Sequence, residues 1–255
     1  MYLFRLPALQ TSYPMPSGHI YAKRGRKVIF QLILSDARQS WLFGNCMEPL
    51  IPLPPCDPWL SLFEHDVEFE LIPVDFQAGE LKKMPSLSPF GELPVFQEGD
   101  LTLFESRTIM RYISHEYGKR GEEQVYEIPK LQGIAAAWID VEDHQFDPPA
   151  SKLIWELVFK PQKGLPTDEG VVEEEEAKLV KVLDVYEERL SNSVFLGGDK
   201  FTSADLTHIP SLYLLMKTPV KRLFEERPRV RAWYRGVMSR PGWEKMVEMV
   251  EKVRA

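Results

Sequence analysis

Glu105 and Ser106 stand side by side where an apolar-periodic run begins, with Ile109, Met110 and Ile113 following. That spacing predicts a helix opening at the Glu-Ser pair. A helix start turns unpaired N–H groups and a positive dipole end toward any carboxylate brought to it, and the Ser106 hydroxyl adds a donor. Upstream, Pro94 sits inside the strand-like stretch Leu93–Gln97. Proline has no ladder donor, so it marks an edge, a strand start or a bulge, with a cis bond as a second explanation. Ser35-Asp36 follows the apolar run VIFQLIL and reads as a helix cap. Cys56 precedes Asp57-Pro58, a second helix-start signature. A thiol at a helix N-terminus can have a lowered pKa and form mixed disulfides, although the residues before Cys56 are proline-rich and not strand-like.

Other polar groups predict no site. Glu142, Asp143 and His144 do not share a helix face, so they make no metal triad. Glu173–Glu176 point around a helix instead of converging, and their negative charge suits its start.

The elements that must position these residues read as two units. Val28 to Leu34 is a continuous apolar run, suited to a buried strand of a mixed or parallel sheet. ARQSWLF then reads as a helix running into Gly44-Asn45. Prolines 49, 52, 54, 55 and 58 exclude a helix through that stretch. Joining Phe43 to Ser61 restores one helix, which makes residues 44–60 an inserted loop. Val67 to Val74 is a second strand, and Asp75 to Lys83 a turn with a short basic helix. A hairpin follows, Leu93–Gln97 and Leu101–Phe104 around Glu98-Gly99-Asp100, and then the Ser106 helix. Residues 118–129 are polar and punctuated, a linker. From residue 130 on, the periodicity is helical throughout. Asp147-Pro148-Pro149 predicts a bend or restart, Lys160–Gly170 a loop, and Val172–Leu190 a long helix. Thr202-x-x-Asp205 is a capping box with Phe201 and Leu206 as its staple. Pro228 and Pro241 bracket the last two helices.

The 255 residues fit one large domain or two small ones, with ordinary hydrophobic (44%) and charged (27%) content. A net charge of −7 argues against nonspecific nucleic-acid binding. No apolar run is long enough to span a membrane. Two cysteines make no disulfide framework, so a reducing compartment is the default. Residues 1–27 contain no Asp or Glu and carry Arg5, Lys23, Arg24, Arg26 and Lys27. They read as an organelle-targeting segment or as a disordered extension.

Three stretches resemble one family in its own order: FGELPVF with LFESRTIMRYI, then WIDVEDHQFDPPASK, then FTSADL. They are similar to plant phi class glutathione transferases, from about Val67 to the C-terminus. The resemblance implies an α/β thioredoxin-like N-terminal domain (residues 28–117) and an all-α C-terminal domain (130–255). It also implies a homodimer, with Phe90 either at its interface or in the core. The implied activity is conjugation of glutathione to small hydrophobic electrophiles, with peroxide reduction as a side activity, in detoxification and stress response. Glutathione is then a co-substrate, and no metal or other cofactor is implied. Ser35 takes the place of the hydroxyl that stabilises the thiolate, although the family's Ser-x-x-Thr-x-Arg context is absent. Lys82, Glu92, Leu93, Pro94, Glu105 and Ser106 are implied to hold the tripeptide. Leu93 would pair its main chain, Glu105 would accept from the ammonium, Ser106 would take a carboxylate, and Lys82 the glycyl carboxylate. Two departures stand in this set: Leu81 replaces a family histidine, and Glu92 replaces a glutamine and brings a like charge. The acceptor pocket is expected between the domains, from Trp138 to Phe146 and the loop after Ser35. The expected compartment is the cytoplasm, or a plastid or mitochondrion if residues 1–27 are a targeting signal. A non-catalytic carrier of hydrophobic ligands and a Cys56 thiol transferase are the alternatives.

Overall fold

The computed structural model describes residues 28–32, 57–73, 89–90, 94–118 and 124–254. Ser35, Cys56, Lys82, Glu92 and Leu93 lie outside them, as do residues 44–56 of the expected insertion.

The first half is a four-stranded mixed sheet in the order β2-β1-β3-β4. Strand β1 (Val28–Leu32) pairs parallel with β2 (Phe69–Pro73) and antiparallel with β3 (Val95–Glu98). A parallel pair needs a crossover, and helix α1 (Asp57–Glu64) lies in this one. β3 turns into β4 (Leu101–Phe104) through Gly99, whose φ of 61° is the left-handed conformation that glycine supplies without steric cost. Helix α2 (Ser106–Glu116) follows and buries Ile109, Met110 and Ile113, the three positions its spacing predicts.

The helix start read at Asp57-Pro58 is present, so the boundary of the inserted loop at residue 60 is too far downstream: Asp57–Leu60 belong to α1. Pro58 sits in the first turn, where no intrahelical N–H bond is lost. Trp59, Leu60 and Leu62 are buried in the core, so this end of the stretch is held by the hydrophobic effect.

The second half is helical. α3 (Pro129–Val141) runs through a π turn (Glu142–Phe146) into α4 (Asp147–Ile154), then through a second π turn (Trp155–Phe159) into α5 (Lys160–Gln162). At the place where a bend or restart is expected, α4 begins at Asp147 with its prolines in the first turn, directly after the first π turn. α6 (Glu169–Arg189) starts earlier than expected because Asp168 caps it, accepting from the Gly170 and Val171 N–H groups at 3.0 and 3.2 Å. α7 (Ser203–Leu206) carries the predicted capping box. α8 (Ile209–Leu215), α9 (Lys221–Glu225), α10 (Pro228–Met238) and α11 (Pro241–Arg254) complete the chain.

The halves share one core, reaching from Trp59 to Met246. Glu64, almost fully buried at the end of α1, accepts from Arg240 Nε at 2.8 Å and from the Gly242 N–H at 3.0 Å. Ser61, Ser114, Ser203 and Gln124 form a buried chain of side-chain hydrogen bonds across the same seam. This satisfaction matters because each buried hydroxyl left alone would cost about 1–3 kcal/mol.

Candidate functional site

The site is built where β3, β4 and α2 meet. The β3–β4 register pairs Val95 with Phe104. Pro94 directly precedes Val95 and Glu105 directly follows Phe104, so both flank the last pair of that ladder. Pro94 is buried and directly precedes β3, a strand-start position that needs no ladder donor.

Glu105 has φ 69° and ψ 115°, one of two non-glycine residues with positive φ among the described residues. Such a conformation costs on the order of 1–3 kcal/mol and persists only where the surroundings enforce it. Here a buried strand and a buried helix fix both ends, since Phe96, Ile109 and Met110 are fully enclosed. The kink leaves the Glu105 carboxylate exposed, beside the first turn of α2. Among the described residues no side chain caps that turn, and its first internal bond is Ile109 N–H to Glu105 O at 3.0 Å. The N–H groups of Ser106, Arg107 and Thr108 therefore have no partner inside the helix. Acceptor carboxylate, hydroxyl and uncapped helix start thus lie within one turn of chain. That arrangement can hold a group bearing both an ammonium and a carboxylate.

Arg107 belongs to the same turn but faces the helical half. Its Nε and Nη2 each reach Glu142 Oε2 at 2.8 Å, and Nη1 reaches Asp143 at 3.0 Å. Glu142 is 2% exposed and lies in the first π turn. A cation at a helix N-terminus opposes the dipole, and the two acids offset that. The clamp fixes the start of α2 against the second domain. Sequence reasoning missed it, although an arginine in a first helical turn was a signal that acids had to be near.

Three expectations fare differently. Phe90 is 74% exposed, so core packing does not account for it. Phe146 is fully buried, 4.7 Å from the His208 ring and 6.1 Å from that of Tyr186, so it cannot wall an open pocket. Trp138 packs edge-on against Tyr186 under Arg189. Both rings pack on Tyr186 and serve the helical core. His144 is exposed, and its Nδ1 lies 3.7 Å from the Asp143 carboxylate. The acids of α6 diverge as expected: Glu175 meets Lys152 and Lys178, Glu174 meets Lys178, and Glu176 pairs with Arg222.

A second polar cluster is wholly buried. Asp205 accepts from Trp233 Nε1, Leu196 N–H and Thr202 N–H at 2.8–3.0 Å. Burial pushes its carboxyl up to about 6 against the pull of those donors. His208 meets the Tyr186 hydroxyl at 2.9 Å, and burial pushes its imidazole down to about 3. The group ties α6, α7 and α10 together and has no route to solvent.

The chain's matches to known proteins cover both halves. The model of the N-terminal domain of glutathione S-transferases matches residues 55–115, and that of their C-terminal domain residues 146–241. Ser35 falls outside the first match, whereas Cys56, Pro94, Glu105 and Ser106 fall inside it. Glutathione S-transferase APIC of Nicotiana tabacum is 51% identical over 193 residues, 75% of this chain and 91% of the relative. Glutathione S-transferase F6 of Arabidopsis thaliana is 48% identical over 190 residues, 74% and 91% of the two chains. Among solved structures, glutathione transferase F2 of Populus trichocarpa superposes with a TM-score of 0.74 at 35% identity, covering 88% of this chain and 99% of its own. Maize glutathione S-transferase I, solved with an atrazine glutathione conjugate, gives 0.68 at 29% identity, covering 88% and 98%. Sequence, fold and domain order agree, and the chain belongs to the glutathione S-transferase family, among its plant phi-type members.

Proposed function

We propose that this chain conjugates glutathione to small hydrophobic electrophiles, with reduction of organic hydroperoxides by the same thiolate as a side activity. The observation that carries the reading is the strained Glu105 set at the start of a helix that no described side chain caps, at the end of the hairpin that Pro94 opens. The γ-glutamyl carboxylate rests on the Ser106 hydroxyl and N–H groups, and its ammonium donates to Glu105. The cysteinyl main chain pairs with Leu93 in strand-addition style. Lys82 takes the glycyl carboxylate and offsets the like charge of Glu92. Ser35 donates to the sulfur and favours the thiolate. The thiolate then attacks the electrophilic carbon, the leaving group departs with the electron pair, and the thiol proton goes to solvent. The working form is a homodimer, which the exposed Phe90 supports. The cytoplasm is the working compartment. No helix of the described residues is long and apolar enough to cross a membrane.

A second reading has its own observation. Helix α1 opens at Asp57, directly after Cys56 and inside the family match, while Ser35 lies outside it. A Cys56 thiolate at that helix start would exchange disulfides with glutathione. Turnover of 1-chloro-2,4-dinitrobenzene by wild type, Ser35→Ala and Cys56→Ser separates the two. Loss only in Ser35→Ala supports conjugation as described. Loss only in Cys56→Ser, with disulfide exchange present, supports the second reading. No turnover in any, with retained dye binding, leaves a carrier of hydrophobic ligands. Failure of the wild type to be retained on immobilised glutathione sinks the site itself.

A further inference from the structure

Asn192 is one of two asparagines in the chain, the other being Asn45. It follows α6 in a stretch that belongs to no helix or strand, and its side chain is exposed. The amide nitrogen donates to the Glu188 carbonyl at 3.3 Å and to the Ser191 hydroxyl at 2.9 Å. A carbonyl partner fixes which end of the amide is nitrogen. The first of these bonds also serves a carbonyl of the last turn of α6, one of those a helix end leaves open.

The next residue offers a nucleophile. The Ser193 hydroxyl donates to the Phe195 carbonyl at 2.8 Å and to that of Arg189 at 3.4 Å. Its backbone N–H, by contrast, has no partner among the described residues. Asn192 Oδ1 has none there either. A backbone nitrogen held in a helix or a ladder is tied up by its acceptor, whereas this one is free to turn on the side-chain carbon one residue back. Serine is small and crowds that approach little. The Ser191 hydroxyl stands within hydrogen-bond reach of the amide nitrogen and can hand it a proton. Nucleophile, electrophile and proton donor are thus three consecutive residues, the proximity that makes an intramolecular acyl transfer fast.

We propose that Ser191-Asn192-Ser193 is a self-modifying deamidation site. The Ser193 nitrogen loses its proton to water and attacks Asn192 Cγ, forming the new C–N bond. The Cγ–Nδ2 bond breaks, and the departing nitrogen takes the Ser191 proton and leaves as ammonia. Ser191 regains a proton from water. Water then opens the cyclic imide at one or the other carbonyl, giving aspartate or isoaspartate, and is the only co-reactant. Either product adds a negative charge to a chain whose net charge is −7. That charge lies at the negative end of α6 and cannot donate to the Glu188 carbonyl. Isoaspartate also lengthens the main chain by one carbon between Arg189 and Leu196, which the Arg189 Nε bond to the Leu196 carbonyl joins at 3.0 Å. The Leu196 N–H in turn holds the buried Asp205 at 2.8 Å, so the change is felt where α6 meets α7.

The test is read without glutathione, so this reading and the conjugation reading fail independently. The full chain is incubated folded, and in parallel unfolded in urea, at mildly alkaline pH. Its peptides are mapped by mass, with aspartate and isoaspartate separated by chromatography. The folded chain should convert Asn192 and yield both products. Ser191→Ala should slow the conversion about twofold to tenfold, the worth of one hydrogen bond to the leaving group. Ser193→Thr keeps the hydroxyl, crowds the nitrogen with a branched carbon, and should slow it as well. An intact Asn192 in the folded chain, or aspartate without isoaspartate, would overturn the proposal. So would an unchanged rate in Ser191→Ala, or a folded rate more than about tenfold below that in urea, since the fold would then contribute no proximity.

Discussion

Replacing Glu142 by glutamine tests whether the clamp on α2 matters to the site. The carboxylate is 2% exposed and takes two Arg107 N–H groups on one oxygen, each at 2.8 Å. Breaking a buried pair by removing one charge typically costs about 3–5 kcal/mol, because the partner is left uncompensated. Arg107 is 25% exposed and keeps Asp143 at 3.0 Å, so part of that penalty is relieved. The expected loss is therefore about 2–3 kcal/mol, just below that range. For a chain of this size that is a fall in Tm of about 4–12 °C. Asp143→Asn is the internal control, since its carboxylate is 41% exposed and its pairing is worth under about 1 kcal/mol. The functional readout is the KM for glutathione at saturating electrophile. If about 1 kcal/mol of the lost anchoring appears in the placement of Ser106, that KM rises about fivefold, while kcat moves little. An Asp143→Asn effect equal to or larger than that of Glu142→Gln would refute the reasoning from burial. A Glu142→Gln protein with reduced Tm and an unchanged KM would show that the clamp serves stability alone.

Glu105→Gly should relieve the strain at φ 69° and, after glycine's entropic cost, raise stability by about 1 kcal/mol. Retention on immobilised glutathione should fall by about tenfold or more as the ammonium loses its acceptor; a stable variant that still binds would remove Glu105 from the site. Thr202→Ala deletes the hydroxyl that accepts from the Ala204 N–H, and differential scanning calorimetry should record a loss of about 1 kcal/mol. The buried pair His208 and Asp205 predicts opposed pH dependences. His208 has its folded pKa lowered to about 3 from 6.5, so its contribution is complete above pH 6.5 and is lost as pH falls toward 3, by roughly 5 kcal/mol in all. Asp205 is raised to about 6 from 3.8, so its contribution is present below 3.8 and is lost as pH rises through 6, by roughly 3 kcal/mol. Wild-type urea midpoints should thus change little between pH 6 and 4. His208→Gln, which cannot take the proton, should become more stable on acidification over that range, and a midpoint that instead falls would contradict the assignment.

The parts of the fold that were legible in the sequence are those specified locally. The hairpin followed from alternation and Gly99, the α2 face from Ile109, Met110 and Ile113, and the α7 cap from Thr202 and Asp205. Pro94, Glu105 and Ser106 were found together because they flank one hairpin in sequence and carry the family resemblance. What escaped was specified by distant partners or by irregular geometry. Arg107 and Glu142 are 35 positions apart, and Glu64 and Arg240 are 176 apart; only the fold brings such pairs together. Asp57-Pro58 was legible as a helix start, and α1 opens there; assigning residues up to 60 to the inserted loop, to rejoin Phe43 with Ser61, drew that boundary too far downstream. Asp168 was read as loop although its side chain starts α6. Phe146 was expected at a cleft on the family resemblance of its segment, and the fold buries it instead.

That last miss points to a property of the long helix from Pro129 to Gln162. A π turn holds one residue more than an α turn spanning the same rise. The surplus in Glu142–Phe146 is confined to a few bonds, and the helical segments on either side resume ordinary geometry. The turn therefore works as a slip joint. The chain can shed an outward-facing residue such as His144, 71% exposed, without rotating Leu153 and Ile154 away from the core they fill. Single-residue gain or loss, ruinous in the middle of most helices, is absorbed here as a change of local pitch.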